Sequence, residues 1–207
     1  MRIPDARPFR PLLAALATLA LVPLALAPNA AADDADPDGW RTCRQATTVV
    51  ESLRPDLPEH LMAAMAKVES GRPRAGHSAR FAWPWTVMAE GEGRYFPTKA
   101  AAVAEVKRLR RDGVRNIDVG CMQVNLYYHG DAFDSVAQAF NPVHNVAYAA
   151  EFLLKLRRTE NSWMRAIAYY HSRNPRHYRD YQRRVQDAWR RERRTAARGG
   201  DQVARAD

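Results

Sequence analysis

The sequence lacks several patterns that would assign a chemistry at once. Its ten glycines include no Gly-rich phosphate-binding loop, and no Ser/His/Asp arrangement is evident. Its six histidines are scattered, without the i, i+4 pair and intervening acid of a zinc peptidase, so we expect no metal and no other cofactor. No internal repeat or interdomain linker breaks the chain, which favours a single folded domain.

Long apolar runs are also missing, except near the N-terminus. Three arginines precede an apolar stretch from Leu12 to Ala27, and the small residues Ala30-Ala31-Ala32 follow it. This order is typical of a secretory signal peptide. A membrane anchor is the alternative, but Pro23 interrupts the stretch, which is shorter than the roughly 20 residues that a span needs.

The sequence therefore predicts an exported, periplasmic protein without a stable membrane span after cleavage. We expect a signal peptide over 1–32, a flexible lead-in over 33–39, a folded domain over 40–190 and a basic, disordered tail over 191–207.

Acidic residues are scarce relative to basic ones, with 23 against 32 and a net charge of +9. The predicted leader holds three Arg and one Asp, so about +7 remains after cleavage. A positive surface favours a polyanionic partner. Nucleic acid is the usual one, but the export signal and the lack of a known binding module argue against it.

Cysteine is nearly absent, since only Cys43 and Cys121 occur. An oxidising compartment permits their pairing as a disulfide. Two separate buried thiols are the alternative. Sequence spacing alone does not decide between them, because a bond requires Cα atoms within reach.

Apolar spacing and capping residues predict a mainly α fold with one small β-hairpin. The predicted helices cover 40–53, 59–69, 99–111, 142–158, 162–170 and 175–190. Gly71 is the predicted left-handed C-cap of the second helix. Aromatic and β-branched residues on both sides of Glu90-Gly91-Glu92-Gly93 predict the hairpin, within 81–96.

Glu69 lies on the apolar face of the second predicted helix. With Met65 set to zero on a wheel of about 100° per residue, Glu69 lies at about +40°, while Ala63 and Lys67 lie opposite. A carboxylate among core residues is uncommon, because its burial costs free energy unless the group is paired or neutral. The alternative is a frayed last turn in which Glu69 faces water.

Two effects are expected to raise the pKa of Glu69. Burial disfavours the anion, and the helix C-terminus carries partial negative charge. Arg72 or Arg74 could oppose them. An acid that stays neutral at working pH can protonate a glycosidic oxygen, so the pattern indicates acid/base chemistry.

Four short motifs follow one another in order along the chain. They are Glu69-Ser70-Gly71, Gly120-Cys121-Met122-Gln123-Val124-Asn125, Asn141-Pro142-Val143-His144-Asn145-Val146 and Ala168-Tyr169-Tyr170-His171. Together they resemble the SLT catalytic domain of soluble lytic transglycosylases, a family with a goose-type lysozyme-like fold. The resemblance covers roughly Cys43 to Arg184 and implies a peptidoglycan lytic transglycosylase domain over 40–190.

The resemblance also implies site residues. Glu69 matches the single catalytic acid/base. The expected substrate-binding residues are Ser70, Met122, Gln123, Asn125, Asn145, Tyr170 and His171. Departures at Cys121, Val124-Asn125, Ala149 and His171 leave the shape of the groove open.

The stretches Trp83-Pro84-Trp85-Thr86 and His171 to Pro175 resemble the flagellum-associated branch of the family. The implied partners are peptidoglycan glycan strands and a flagellar rod or secretion-system component.

The implied reaction needs one acid. Glu69 protonates the bond between N-acetylmuramic acid and N-acetylglucosamine, and then takes the proton of the muramoyl C6 hydroxyl as a 1,6-anhydro ring closes. A hydrolytic muramidase is one alternative, with Asp118, Glu90 or Glu92 as the second carboxylate. We expect the two glutamates to be solvated turn residues and Asp118 to cap or hydrogen-bond the adjacent loop. A non-enzymatic module that binds glycan or rod through the basic last helix is the other alternative.

Overall fold

The computed structural model describes residues 39–77 and 79–204. The predicted signal peptide and residues 33–38 of the predicted lead-in lie outside the described residues. Among the helices that are described, none combines the length and the apolar character that crossing a bilayer requires.

The described residues form a mainly helical domain with small antiparallel sheets, which confirms the predicted fold class at that level. The α-helices found there are α1 (Thr42–Leu53), α2 (Leu61–Glu69), α3 (Lys99–Arg111), α4 (Val136–Ala139), α5 (Pro142–Glu160), α6 (Trp163–His171) and α7 (Pro175–Ala204). The strands are β1 (Gly71–Pro73), β2 (Arg80–Ala82), β3 (Thr86–Ala89), β4 (Glu92–Tyr95), β5 (Ile117–Val119) and β6 (Val124–Asn125).

Three predicted helix starts are confirmed by their capping hydrogen bonds. The side chains of Thr98, Asn141 and Ser162 each accept a backbone N–H from the first turn of α3, α5 and α6. Gly113 follows α3 with a φ of +86°, as the sequence predicts for a residue that ends a helix.

α2 begins two residues later than predicted, because its first turn is organised by another helix. Glu51 of α1 accepts the backbone N–H groups of His60 and Met62, and His60 adopts a left-handed conformation with φ +64°. An acidic side chain at a helix N-terminus satisfies donors that the helix itself leaves unpaired. α1 therefore fixes where α2 starts.

α2 is enclosed on nearly every side. All residues from Leu61 to Ala66 are buried, and α2 packs against α7, α1 and β2. Ala63, on the side opposite to Met65, is buried as well, and Lys67 on that side binds Glu192 of α7. Each fully buried Leu or Met side chain contributes about 1.5–3 kcal/mol, so α2 is anchored firmly.

The predicted hairpin is confirmed as β3 and β4, and its turn residues Glu90 and Gly91 both have positive φ. Two further strands extend this sheet in the order β4-β3-β5-β6. β2 overlaps the start of the range predicted for the hairpin but pairs with β1 instead.

The prediction of a left-handed C-cap at Gly71 is wrong. Gly71 is the first residue of β1, paired with Ala82. A Cβ at this position would collide with the carbonyl oxygen of Lys67. Glycine is needed here because the strand leaves α2 so closely, and not because of its φ.

The buried apolar residues form two hydrophobic cores. One is formed by α1, α2, α5, α6 and α7, and the other by α3, α4 and the four-stranded sheet with Trp83 and Trp85. A disulfide between Cys43 and Cys121, with Cα atoms 5.6 Å apart, joins α1 to the segment that follows β5. Of the two alternatives that the sequence leaves open, the structure has the disulfide.

The predicted disordered tail is wrong for residues 191–204, because α7 continues to Ala204. Glu192 is buried in this part of the helix and binds Lys67 of α2 and Arg44 of α1. An ion pair in the interior fixes the helix beyond Arg190, where the charged composition indicated a frayed end.

Candidate active site

Glu69 is the last residue of α2 and lies at the wall of a groove of about 390 Å³. The groove is lined by Glu69, Met88, Asn116, Asp118, Gln123, Val124, Asn125, Tyr128, His129, Tyr148, Ala149, Phe152, Tyr170 and His171. Because six of these residues are aromatic or histidine, we call this groove the aromatic arm. Rings of this kind offer flat apolar faces beside polar edges.

The carboxyl of Glu69 is desolvated by the protein around it. Burial raises the pKa of Glu69 to about 8, and the charge of Asp118 adds to the rise. The hydrogen bond from Tyr181 and the charge of Arg184 act in the opposite direction. The carboxyl is thus held mostly protonated at neutral pH, which is the state that a general acid requires.

Tyr181 donates its hydroxyl to Glu69 Oε1 at 2.5 Å. The sequence places Tyr181 on the apolar face of the last helix, and the ring is indeed buried. Sequence reasoning missed that the Tyr181 hydroxyl is the hydrogen-bond partner of Glu69. Helical periodicity shows which face of a helix is buried, but not which group a buried hydroxyl contacts.

Arg72 and Arg74 do not oppose the pKa rise, contrary to the sequence-based expectation. The Arg72 guanidinium lies 4.5 Å from the ring centre of Trp83, and Arg74 lies over Trp40. Both cations are held by aromatic faces on the β1 side of the molecule.

Asp118 lies in the same arm as Glu69. It accepts a 2.7 Å hydrogen bond from Asn125 Nδ2 across the β5–β6 pair, so its partner lies on the neighbouring strand and not in the adjacent loop. Burial raises the pKa of Asp118. Glu90 and Glu92 are exposed in the hairpin turn, so Asp118 is the candidate for a second carboxylate.

Gln123 combines two unfavourable features at the groove. Its φ is +48°, in the left-handed region that side chains other than glycine rarely adopt. Its Nε2 donates to Gly120 O at 2.9 Å, whereas its buried Oε1 has no hydrogen-bond partner among the described residues. Each feature costs on the order of 1 kcal/mol or more, and such costs concentrate at functional sites.

Three of the predicted substrate-binding residues lie behind the groove and do not line it. Ser70 is fully buried and donates to Cys121 O at 2.8 Å. Met122 is fully buried in the core. The amide of Asn145 accepts from Met122 N and donates to Val119 O and Ala139 O. The prediction that these three residues contact the substrate directly is therefore wrong. They instead hold the segment before Gln123 in place.

The other predicted residues are brought together in the aromatic arm. Asn125, Tyr170 and His171 line it with Gln123 and Glu69. The Tyr170 hydroxyl donates to Met122 O at 2.9 Å, and the His171 ring stacks on Tyr181 at 4.5 Å. Burial and the charge of Arg184 lower the pKa of His171, which favours the neutral ring.

A second cavity of about 870 Å³ meets the aromatic arm at Glu69 and Met88. Besides Glu69, four cations and the two acids Asp187 and Glu192 line it, and we call it the basic arm because the cations outnumber the acids. The cations are Lys67, Arg80, Arg184 and Arg191. The carboxyl of Glu69 thus stands where an aromatic groove and a cationic groove join.

Among the described residues no three His, Cys, Asp or Glu side chains cluster as metal ligands. Comparisons with family models, with curated proteins and with solved structures gave no match. The chemistry therefore has to be argued from the site: a protonated carboxyl, amide and hydroxyl groups, aromatic faces and one further carboxyl.

Proposed function

We propose that this chain is a peptidoglycan lytic transglycosylase of the SLT type, with a goose-type lysozyme-like fold. The observation that carries the proposal is the desolvated Glu69 carboxyl, whose pKa burial raises to about 8, at the wall of the aromatic arm. Polymeric glycans suit such a groove, because sugar rings stack on aromatic faces while their hydroxyls bind amides. The order of the four sequence motifs supports the same assignment.

In the proposed reaction Glu69 donates its proton to the oxygen between N-acetylmuramic acid and N-acetylglucosamine. The bond from muramoyl C1 to this oxygen breaks, and N-acetylglucosamine leaves with the proton as its hydroxyl. The anion that remains is stabilised by the Tyr181 hydroxyl, whose hydrogen bond strengthens when the acceptor becomes charged. Glu69 then takes the proton of the muramoyl C6 hydroxyl, whose oxygen closes onto C1. One group serves as acid and then as base, and the product is a 1,6-anhydromuramoyl end.

Hydrolysis is the second candidate, and one observation favours it. Asp118 shares the arm with Glu69, and a second carboxylate could position a water for attack at C1. Its engagement with Asn125 favours a role in holding the β5–β6 pair. The two reactions differ in product, since hydrolysis leaves reducing ends.

The test is a digestion of purified sacculi by the wild type, Glu69→Gln and Asp118→Asn, with mass spectrometry of the released muropeptides. We expect anhydro ends from the wild type and from Asp118→Asn, and no release by Glu69→Gln. Reducing ends that disappear in Asp118→Asn would assign hydrolysis instead. Equal release by Glu69→Gln and wild type would refute both reactions.

We also propose export to the periplasm, with glycan strands as the partner and a flagellar rod or secretion component as a further one. The disulfide supports an oxidising compartment. N-terminal sequencing of the protein recovered from the periplasm tests this, with cleavage after about residue 32 expected.

A further inference from the structure

We infer that the basic arm binds the carboxylates of the peptide stem attached to the muramoyl residue, so that stem-bearing glycan is the preferred substrate. The inference rests on the proposed function and adds a recognition site to it. The stem is joined to the sugar whose linkage is cleaved, and it is the anionic part of the polymer nearest to that linkage. The basic arm adjoins the aromatic arm at Glu69, next to the linkage that would be cleaved.

One face of α7 supplies most of the arm. Arg184, Asp187, Arg191 and Thr195 follow one another at spacings of three and four residues, so they form a single stripe along the helix. The stripe begins beside Glu69, since Arg184 is close enough to lower the pKa of that carboxyl. The arm therefore extends away from the reacting bond along α7.

The charges in the arm are not fully neutralised from within. Lys67 is paired with Glu192, Arg184 with Asp180, and Asp187 with Arg190. Arg191 is exposed and forms no ion pair with any described residue. Arg80 is held by neutral acceptors, with Nε donating to Gly71 O at 2.7 Å and Nη2 to Tyr95 Oη at 3.2 Å.

Arg80 and Arg191 thus present positive charge from two walls of one cavity. Guanidinium groups recognise carboxylates through charge-assisted and often bidentate hydrogen bonds. An arginine whose position is already fixed by neutral partners, as in the case of Arg80, loses little freedom when a ligand binds. The arm therefore suits an acidic peptide better than an uncharged sugar.

The test compares two glycans of equal length, one with free stem carboxylates and one with the same carboxylates amidated. The measured quantity is the ratio of kcat/KM for the two substrates, with anhydro ends as the product. For wild type we expect the free acid to be favoured roughly three- to tenfold, since partly exposed ion pairs contribute modestly. Arg191→Gln should lower this ratio, and Arg191→Glu should bring it to one or below.

Arg193→Glu is the matched control, because it makes the same charge change on α7 at a position about 200° around the helix from Arg191. It should keep the wild-type ratio. A wild-type ratio near one, or an Arg191→Glu ratio equal to that of wild type, would overturn the inference while leaving the proposed function intact. Absence of anhydro ends from both substrates would instead overturn the proposed function.

Discussion

At the scale of single residues, the central feature is a carboxyl that the fold keeps neutral at a cost. Glu69 has an ordinary pKa of 4.5 in a flexible chain and about 8 in the folded protein, chiefly because of burial. Between these values the unfolded chain loses a proton that the folded protein keeps. The contribution of Glu69 to the free energy of unfolding is therefore most favourable below about pH 4.5, and this contribution is lost as the pH rises toward 8.

Glu69→Gln should therefore be more stable than wild type at neutral and higher pH. The difference in unfolding free energy should grow between pH 4.5 and 8, to about 3–5 kcal/mol. Urea denaturation at a series of pH values measures it. Glu59→Gln, the same change at an exposed glutamate, is the control and should show no such growth. A pH-independent difference for Glu69→Gln would contradict the assignment.

Tyr181 should set the upper pH limit of activity. Its hydrogen bond lowers the pKa of Glu69, so Tyr181→Phe should move the basic limb of the kcat/KM profile upward by about one pH unit. The rate should also fall about tenfold, because the Glu69 anion formed in the first step loses its donor. Tyr178→Phe removes a hydroxyl from the same helix without touching Glu69 and should leave the profile in place. An unshifted limb in Tyr181→Phe would exclude the role.

Sequence reasoning succeeds at this scale where periodicity is informative. The helical wheel places Glu69 on the apolar face of α2, and in the structure its carboxyl is desolvated at the wall of the aromatic arm. The contacts of polar side chains across the fold do not follow from periodicity. Ser70 and Met122 are sequence neighbours of the groove residues Glu69 and Gln123, yet both are fully buried. The Ser70 hydroxyl and the Asn145 amide satisfy buried backbone groups instead.

At the scale of elements, α7 determines much of the site, because it supplies Tyr181 to the carboxyl and Glu192 to α2. Burial acts to raise the pKa of Glu192, but Lys67 and Arg44 outweigh it and the pKa is lowered. The stabilisation from the ion pairs of Glu192 is therefore present above the ordinary glutamate pKa of 4.5, and it is lost as the pH falls below this value.

Glu192→Gln should destabilise the protein by about 2–4 kcal/mol at pH 7, since it leaves Lys67 partly buried without its partner. The loss should shrink on acidification. Asp187→Asn breaks a surface pair with Arg190 on the same helix and should cost less than about 1 kcal/mol. Chemical denaturation at pH 7 and pH 4 gives both quantities. Equal effects of the two substitutions would show that Glu192 does not tie α7 to α2.

Some ends of helices were predicted correctly and others were not, and the difference has a physical reason. Helix starts with Ser, Thr or Asn caps were correct, because the capping hydrogen bond is local. The start of α2 and the end of α7 depend on Glu51 and Glu192, whose partners are distant in sequence. Glu192 does continue the apolar stripe of Tyr181, Val185 and Ala188 at helical spacing, so that signal was available.

At the scale of the whole molecule, one covalent bond joins the helical core to the segment that carries Gln123. Cysteine spacing could not establish this bond, because it gives no distance between Cα atoms. The short strands β5 and β6, which bring Cys121 beside α1, also escaped prediction. With three and two residues they are too short for an alternating pattern to be recognised.

Removal of the disulfide should lower stability by about 4 kcal/mol, since Cys43 and Cys121 are 78 positions apart and close a long loop in the unfolded chain. For a domain of this size the melting temperature should fall by roughly 10 °C. Calorimetry of wild type with and without a reductant, beside Cys43→Ala/Cys121→Ala, measures the effect. The double variant should not respond to the reductant.

Because Cys121 O also accepts the Ser70 hydroxyl next to Glu69, kcat should fall in the double variant even well below its melting temperature. A stable double variant with wild-type kcat would mean that the bond neither supports the fold nor holds the catalytic end of α2.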